Sequence, residues 1–529
     1  MLSSYRPNRE GRPFTAWADR VLWPGRSLAW SPQAWRWPLL AIIAILFLLD
    51  VRPGQPWDGD GELFILNALN ILQGQGYAAT GYVVNPSNAI HPASYPPGLP
   101  LILAPVIGAF GLDYAAIKTV LAACYLLTIA LVAEVSAARL GEGWALGAVA
   151  ILGMNPFAWQ FKDVVFSEFP FMLFAYSGLF AFERLDAATL DGPSARPAPW
   201  LWAAASGLAL GAAYEVRAIG VVLFAAVGLI CLLRFSRLRF YGLLVLLLAA
   251  AESALISRMF PADLGTYVSY FEHASGDLVG TIARRVIVNC RAYASAAAEL
   301  LRGGGGHWTP VQVLLVAAVL ACSALGVAQA LRRRPTVFEA FLLIYVGTLL
   351  LYPISLEPAR YALPVLPLVV VYFLLGVQGW ARPRLGLAVK AAAVAAAVVL
   401  LYMPQFPERS LAYAASVDDP EAMELFREIR DRVPADALVL GSKPTVIALY
   451  AQRRATNPPA HPTEEAFWHF VRHSGAAWMV EAKLPIYDEE VAELMPRLRD
   501  RLEQVFENRL FVLYRIPEEG RGQGGTMPH

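Results

Sequence analysis

Charge is scarce in this 529-residue sequence: Asp, Glu, Lys and Arg make up 16% of it, against roughly a quarter of an ordinary soluble domain. Hydrophobic residues reach 57%, more than a water-soluble core can hide, so a purely soluble fold is excluded. Neither sign of charge dominates. The formal net charge of +1 gives no reason to expect nucleic acid or an acidic macromolecule as partner. Cysteine is also rare: Cys124, Cys231 and Cys322 fall in apolar runs and Cys290 in a loop, which excludes a disulfide framework. No internal repeat is present. The glycine run Gly303 to Gly306 lacks the Lys-Ser/Thr that a phosphate loop needs. His273 and His307 have no ligand-spaced partners.

What the sequence has in quantity is long apolar runs. About 20 residues cross a bilayer's hydrocarbon, whereas 10 to 14 more often lie at the interface. The runs read as spans are Leu39 to Leu49 with its flanks, Ala115 to Ala138, Trp144 to Trp159, Phe169 to Phe182, Leu201 to Tyr214 and Ala218 to Leu233, followed by Phe240 to Ile256, Val311 to Leu331, Val337 to Tyr352, Tyr361 to Val377 and Leu385 to Met403. That makes about eleven. No small-residue cleavage site follows the first, so it is expected to be an uncleaved helix behind an arginine-rich segment, 1–37. Pro97 to Phe110 is short and carries Pro100, Pro105 and Gly108, which predicts an interfacial helix.

Arginine placement supports this count. With the N-terminus in the cytoplasm, Arg139, Arg184 and Arg196, then Arg234, Arg237 and Arg239, then Arg332 to Arg334, and finally Arg382 and Arg384 all fall in cytoplasmic loops. The far side then holds two long loops, 51–114 and 258–310, and everything after residue 403. From there the composition becomes that of a soluble α/β unit, 404–517, with a glycine-rich tail, 518–529. Asp419-Pro420 should open a helix with Met423, Phe426, Ile429 and Val433 on one face. Strands are expected at Ala437 to Leu440, Ala476 to Val480 and Leu510 to Tyr514, with helices at Thr463 to Arg472 and Glu489 to Phe506. The fold class is therefore a polytopic α-helical membrane protein with a C-terminal soluble α/β domain.

Candidate chemistry concentrates after the first span. Trp57-Asp58-Gly59-Asp60-Gly61-Glu62 sets three carboxylates among glycines that allow close backbone approach. Such a cluster can act as a general base or hold a divalent cation, with Asp60, Glu62 and Glu168 as ligands. A solvated acidic loop is the plain alternative. Next come the helical segment Leu63 to Leu72, Gly74-Gln75-Gly76-Tyr77, His91, and Tyr95-Pro96-Pro97-Gly98. Further on are Lys162-Asp163, Ser167-Glu168, Glu215 with Arg217, and Glu357-Pro358-Ala359-Arg360-Tyr361. Ionisable groups at membrane depth cost up to ~3 kcal/mol, so each is a functional candidate as well as a candidate for an ion pair that only packs helices.

In this order the motifs resemble the GT-C membrane glycosyltransferases, the superfamily of dolichyl-phosphate-mannose protein mannosyltransferases and lipid A aminoarabinose transferases. The resemblance covers residues 38 to 380 and, more loosely, the C-terminal part. It implies a catalytic role for Asp60, with Asp58 as fallback and Glu62 beside them. It implies donor-phosphate contacts from Arg217, Lys162 and Arg360, and substrate contacts from Tyr95, His91, Glu168 and Glu357. The chain departs from the pattern at Gly98, where Leu is usual, and in having no basic residue directly before Tyr95. The implied reaction transfers a sugar from a polyprenyl-phosphate donor to a lipid, glycan or protein acceptor, with inversion, outside a bacterial plasma membrane. A metal is not required for it. Two other readings stay open: a transporter or lipid flippase, against which stand the lack of repeated halves and the loop position of the carboxylates, and a non-catalytic scaffold.

Overall fold

The computed structural model describes residues 35–57, 59–83, 85, 92–191, 197–234, 237–262, 278–302, 310–352, 357–380, 387–403, 406, 416–459, 462–483 and 491–517. Asp58 and His91 lie outside them, as does the tail from residue 518.

Every apolar run read from the sequence coincides with helix: α1 (Arg36–Leu49), α4 (Tyr114–Leu140), α5 (Glu142–Gly153) with α6 (Pro156–Phe161), α7 (Glu168–Asp191), α8 (Pro199–Val216), α9 (Val221–Leu233), α10 (Leu238–Met259), α12 (Pro310–Arg333), α13 (Val337–Leu351), α14 (Pro358–Ala362) with α15 (Leu366–Trp380), and α16 (Leu387–Tyr402). Two juxtamembrane helices, α2 (Gly59–Gln73) and α3 (Gly98–Phe110), follow α1. Among the described residues, four helices are long and apolar enough to cross a membrane: Tyr114–Leu140, Leu238–Met259, Val313–Arg333 and Pro358–Gly379. Six further apolar helices among them are shorter, including Arg36–Leu49, Glu142–Gly153 and Val337–Leu351, and polar residues break some of the runs. Asn155 ends one run by capping the next helix through Ala158 N, and Arg217 interrupts another with extended backbone at φ −149°.

Helices this apolar gain little from the hydrophobic effect against lipid, so close packing has to hold them together. Gly326 on α12 and Gly376 on α15 meet the partner helix so closely that a Cβ would fall within about 2 Å of Tyr372 O and Cys322 O respectively. Buried ion pairs tie the far end of the bundle. Arg139 reaches Glu183 and Glu339, each at 2.8 Å, and Arg36 reaches Glu134 at 2.6 Å.

The segment 258–310, expected as a long external loop, carries a helix of its own. It contains α11 (Leu278–Arg302), an amphipathic helix whose Asn289 amide donates to Leu349 O, Leu350 O and Tyr352 O at 3.2, 3.0 and 2.6 Å. These are carbonyls at the end of α13 that lack an intrahelical donor. The charged residues scattered through α11 hide its periodicity from a search for apolar runs.

The C-terminal residues form a five-stranded sheet in the order β2-β1-β3-β5-β4, from β1 (Leu438–Leu440), β2 (Arg454–Thr456), β3 (Trp478–Ala482), β4 (Glu503–Glu507) and β5 (Phe511–Arg515). β1 runs parallel to β2 and β3, while β5 is antiparallel to β3 and β4. Helices α17 (Pro420–Arg432), α18 (Pro444–Val446), α19 (Glu464–Ser474) and α20 (Met495–Leu498) accompany it. Two expectations fail here. Residues 503–506 are strand and not the end of a helix, because pairing with β5 overrides local preference. The buried face of α17 is Ala422, Leu425, Phe426 and Ile429, which leaves Met423 41% exposed.

This unit is fastened to the segment after α1. Trp57 stacks on Phe511 and Phe426 with ring centroids 4.8 and 5.6 Å away. Val417 N donates to Gln55 O at 2.9 Å, and Val83 N to Ala455 O at 2.8 Å.

Candidate active site

Asp60 sits in the first turn of α2, where a carboxylate complements the helix N-terminus. Its Oδ1 accepts from the Tyr95 hydroxyl at 2.5 Å, and Tyr77 in turn donates to Tyr95 O at 2.9 Å. Tyr95 also meets the Phe64 ring edge-on at 4.8 Å. The Gly-x-Gly-Tyr turn and the Tyr-Pro-Pro segment thus aim one phenol at one carboxylate. Asp60 Oδ2 pairs with Arg360 Nη1 at 2.8 Å.

Arg360, at the start of α14, gathers the rest. Its Nε lies 2.6 Å from Glu168 Oε1, its Nη1 lies 2.9 Å from Glu357, and its guanidinium covers the Phe166 ring at 3.7 Å. Glu168 is fully buried and also takes Arg217, which donates to Ser167 Oγ at 2.9 Å. A chain of charge therefore runs Asp60, Arg360, Glu168, Arg217, drawn from four separate segments. Burial works against ionisation of Asp60, yet the charge of Arg360 and the Tyr95 hydrogen bond outweigh it and hold this carboxyl below its ordinary value.

Gly98 accounts for its own departure from the family pattern. A Cβ there would lie 2.6 Å from the Glu215 carbonyl and from Val216 N, so α3 begins in direct contact with the end of α8, immediately before Arg217. A leucine does not fit.

Two expected site residues lie elsewhere. Glu62 is buried but faces away from Asp60, since two residues along a helix turn about 200°; its charge acts on Tyr114, Lys118 and Tyr450. Lys162 is fully buried in a separate cluster, 2.9 Å from Asp163 Oδ1 and 3.2 Å from Asp50 Oδ2. No group of three His, Cys, Asp or Glu suited to a metal occurs among the described residues. The guanidinium of Arg360 stands where a cation shared by Asp60 and Glu168 would sit, so that ligand set does not fit a metal.

Sequence reasoning missed Phe166, which supports Arg360, and Lys443, whose charge also acts on Asp60. Nothing local to either residue announces these contacts. Beside α14 an apolar cavity of about 110 Å³ is lined by Tyr293, Leu300, Leu349, Ala362, Leu366 and Val369, among others.

No protein-family model and no curated protein sequence matches the chain. Solved structures do. ArnT from Cupriavidus metallidurans bound to undecaprenyl phosphate aligns over 93% of this chain and 100% of its own, at 14% identity and TM-score 0.57. The oligosaccharyltransferase AglB from Archaeoglobus fulgidus, in complex with an inhibitory peptide and a dolichol-phosphate, aligns over 90% of this chain and 73% of its own, at 14% identity and TM-score 0.59. The arabinofuranosyltransferase AftD from Mycobacteria aligns over 93% of this chain and 42% of its own, at 13% identity and TM-score 0.52. At such identities the likeness is one of architecture: this chain shares the fold of these three solved structures.

Proposed function

We propose that the chain is a glycosyltransferase that moves a sugar, hexosyl or pentosyl, from a polyprenyl-phosphate donor to a lipid, glycan or protein acceptor with inversion. The observation that carries this reading is the Asp60 carboxyl, steered by Tyr95 and joined through Arg360 and Glu168 to a second guanidinium at Arg217. Support also comes from the fold neighbours caught with undecaprenyl phosphate and a dolichol-phosphate.

Asp60 takes the proton of the acceptor hydroxyl or amine as that group attacks the anomeric carbon, and the bond to the lipid phosphate breaks on the opposite side. Arg360 and Arg217 neutralise the departing phosphate in a partly dehydrated setting. A carboxylate held below its ordinary value is a weak base, so the donor has a second task. Its phosphate competes for Arg360, and as that pairing loosens Asp60 becomes more basic when the acceptor arrives. Glu168 keeps the two guanidinium groups together throughout, and Tyr95 and Glu357 flank the sugar. The apolar cavity beside α14 suits an isoprenoid chain. No step requires a metal.

The helices cross a bacterial plasma membrane about eleven times, with segment 1–37 in the cytoplasm and the 38–403 module carrying the site on the outer face beside the domain 404–517. Arginine placement supports this arrangement. A cysteine introduced at the exposed Gln75, within 51–114, that reacted with impermeant thiol reagent only in inverted vesicles would reverse it.

Reconstitution with a panel of polyprenyl-phosphate sugars, following release of lipid phosphate, tests the function. Consumption of one donor is expected. If none is consumed while a solute or lipid crosses the bilayer, the transporter reading replaces this one.

A further inference from the structure

We propose that Lys443, carried by the C-terminal sheet domain, is a substrate-binding residue of the Asp60 site and holds the phosphate of the lipid donor. The inference rests on the glycosyltransferase reading and adds to it a contact from a part of the chain to which that reading assigns no role.

The geometry begins with the sheet. Ligands of open α/β sheets collect beyond the carboxyl ends of parallel strands, and Lys443 lies in the loop that leaves β1, a strand parallel to both its neighbours. That loop is fixed in place. Pro444, Thr445 and Val446 are buried, and the short helix they form packs on α2, the helix that carries Asp60. Gly441, Ser442 and Lys443 line one small cavity with Trp57, three positions before Asp60. The Lys443 ammonium is thereby set close enough for its charge to act on Asp60.

Charge pairing then separates Lys443 from the arginines. Arg360 is shared by Asp60, Glu168 and Glu357, and Arg217 is held by Glu168. Lys443 has no carboxylate within ion-pairing distance among the described residues. Among the described residues of the site two guanidinium groups face three carboxylates, Asp60, Glu168 and Glu357, so the arginines alone leave an incoming phosphate facing an excess of negative charge. Lys443 offsets that excess and, unlike the two arginines, is not held by a carboxylate among those residues, so it is available to the phosphate. An ammonium on a flexible stem serves phosphate as a compact point charge.

The test uses the full-length protein in detergent, with undecaprenyl phosphate as probe and inorganic phosphate as a second probe that lacks the lipid. Lys443→Gln should weaken binding of the lipid phosphate by roughly 10- to 100-fold without lowering the melting temperature, while Lys443→Arg retains most of it. Lys483→Gln, which removes a cation paired with Glu507 at another strand end, should bind as wild type does. In transfer assays Lys443→Gln should raise KM for the donor more than it lowers kcat, and should move the acidic limb of the pH profile upward. Inorganic phosphate should bind the wild-type protein much more weakly than undecaprenyl phosphate if the lipid anchors the ligand; equal binding of both probes would assign the site to free phosphate and overturn the donor role. Wild-type affinity in Lys443→Gln overturns the proposal alone, as does an equal loss in Lys443→Arg. If the wild-type protein binds no undecaprenyl phosphate, the reading of the whole site fails with it.

Discussion

Asp60 and Arg360 are 300 positions apart in the chain and 2.8 Å apart in the fold. The same guanidinium holds Glu168 at 2.6 Å, so the carboxylate proposed as base is tied to a buried acid on a different helix by a single side chain. The testable consequences concern which of these charges reacts and which supports.

Asp60→Asn keeps the size and removes the base. The variant should accumulate normally and bind undecaprenyl phosphate, since Arg360 retains Glu168 and Glu357. Transfer should fall by roughly 10² to 10⁴, the usual worth of a positioned general base. Wild-type turnover in a donor-dependent assay would remove Asp60 from the chemistry, and loss in Asp58→Asn alone would move the role two residues upstream.

The pH dependence follows from the direction of the Asp60 shift. Burial alone would raise this carboxyl; the charge of Arg360 and the Tyr95 hydrogen bond bring it below its ordinary value. A lowered value means that the ionised form persists to more acidic pH, and the stability it contributes is present above the unfolded carboxylate value and lost as pH falls through the folded one. The acidic limb of kcat/KM should therefore lie below the ordinary aspartate range. Tyr95→Phe removes one of the lowering contacts and should move that limb upward. A limb near pH 6 in wild type, unmoved by Tyr95→Phe, would mean that another group is being titrated.

Arg217 is paired with the buried Glu168, so the two residues can be separated by which partner each removal leaves behind. Arg217→Met leaves Glu168 with Arg360 and should weaken donor binding at modest cost in stability. Glu168→Gln leaves two buried guanidinium groups facing one another and should cost about 3–5 kcal/mol, visible as a lower melting temperature in detergent. Equal melting temperatures for these two variants would show that Glu168 does not anchor the pair.

Gly98→Ala tests the contact between α3 and the end of α8. The added Cβ meets backbone, which cannot rotate away, so the variant should lose about 1–3 kcal/mol and, through displacement of Arg217, part of its affinity for lipid phosphate. Wild-type melting and binding in Gly98→Ala would show that the contact is looser than described.

The sequence by itself determined the solvent of this chain and where its apolar helices run. Those features are local: a run of some fifteen to twenty apolar residues must be helical in lipid, because no water is there to satisfy its backbone. Asp60, Tyr95, Glu168, Arg217 and Arg360 were legible as candidates because each belongs to a short local motif, and the order of those motifs along the chain resembles that of a known superfamily. Only the tertiary structure decided which of the candidates meet. It turned Glu62 away from Asp60 and placed Lys162 with Asp50 and Asp163. It made a strand of residues 503–507 and brought Lys443 toward the same carboxylate. Ion pairs form between side chains hundreds of positions apart, and a strand's partner lies elsewhere in the chain, so no local pattern can specify either.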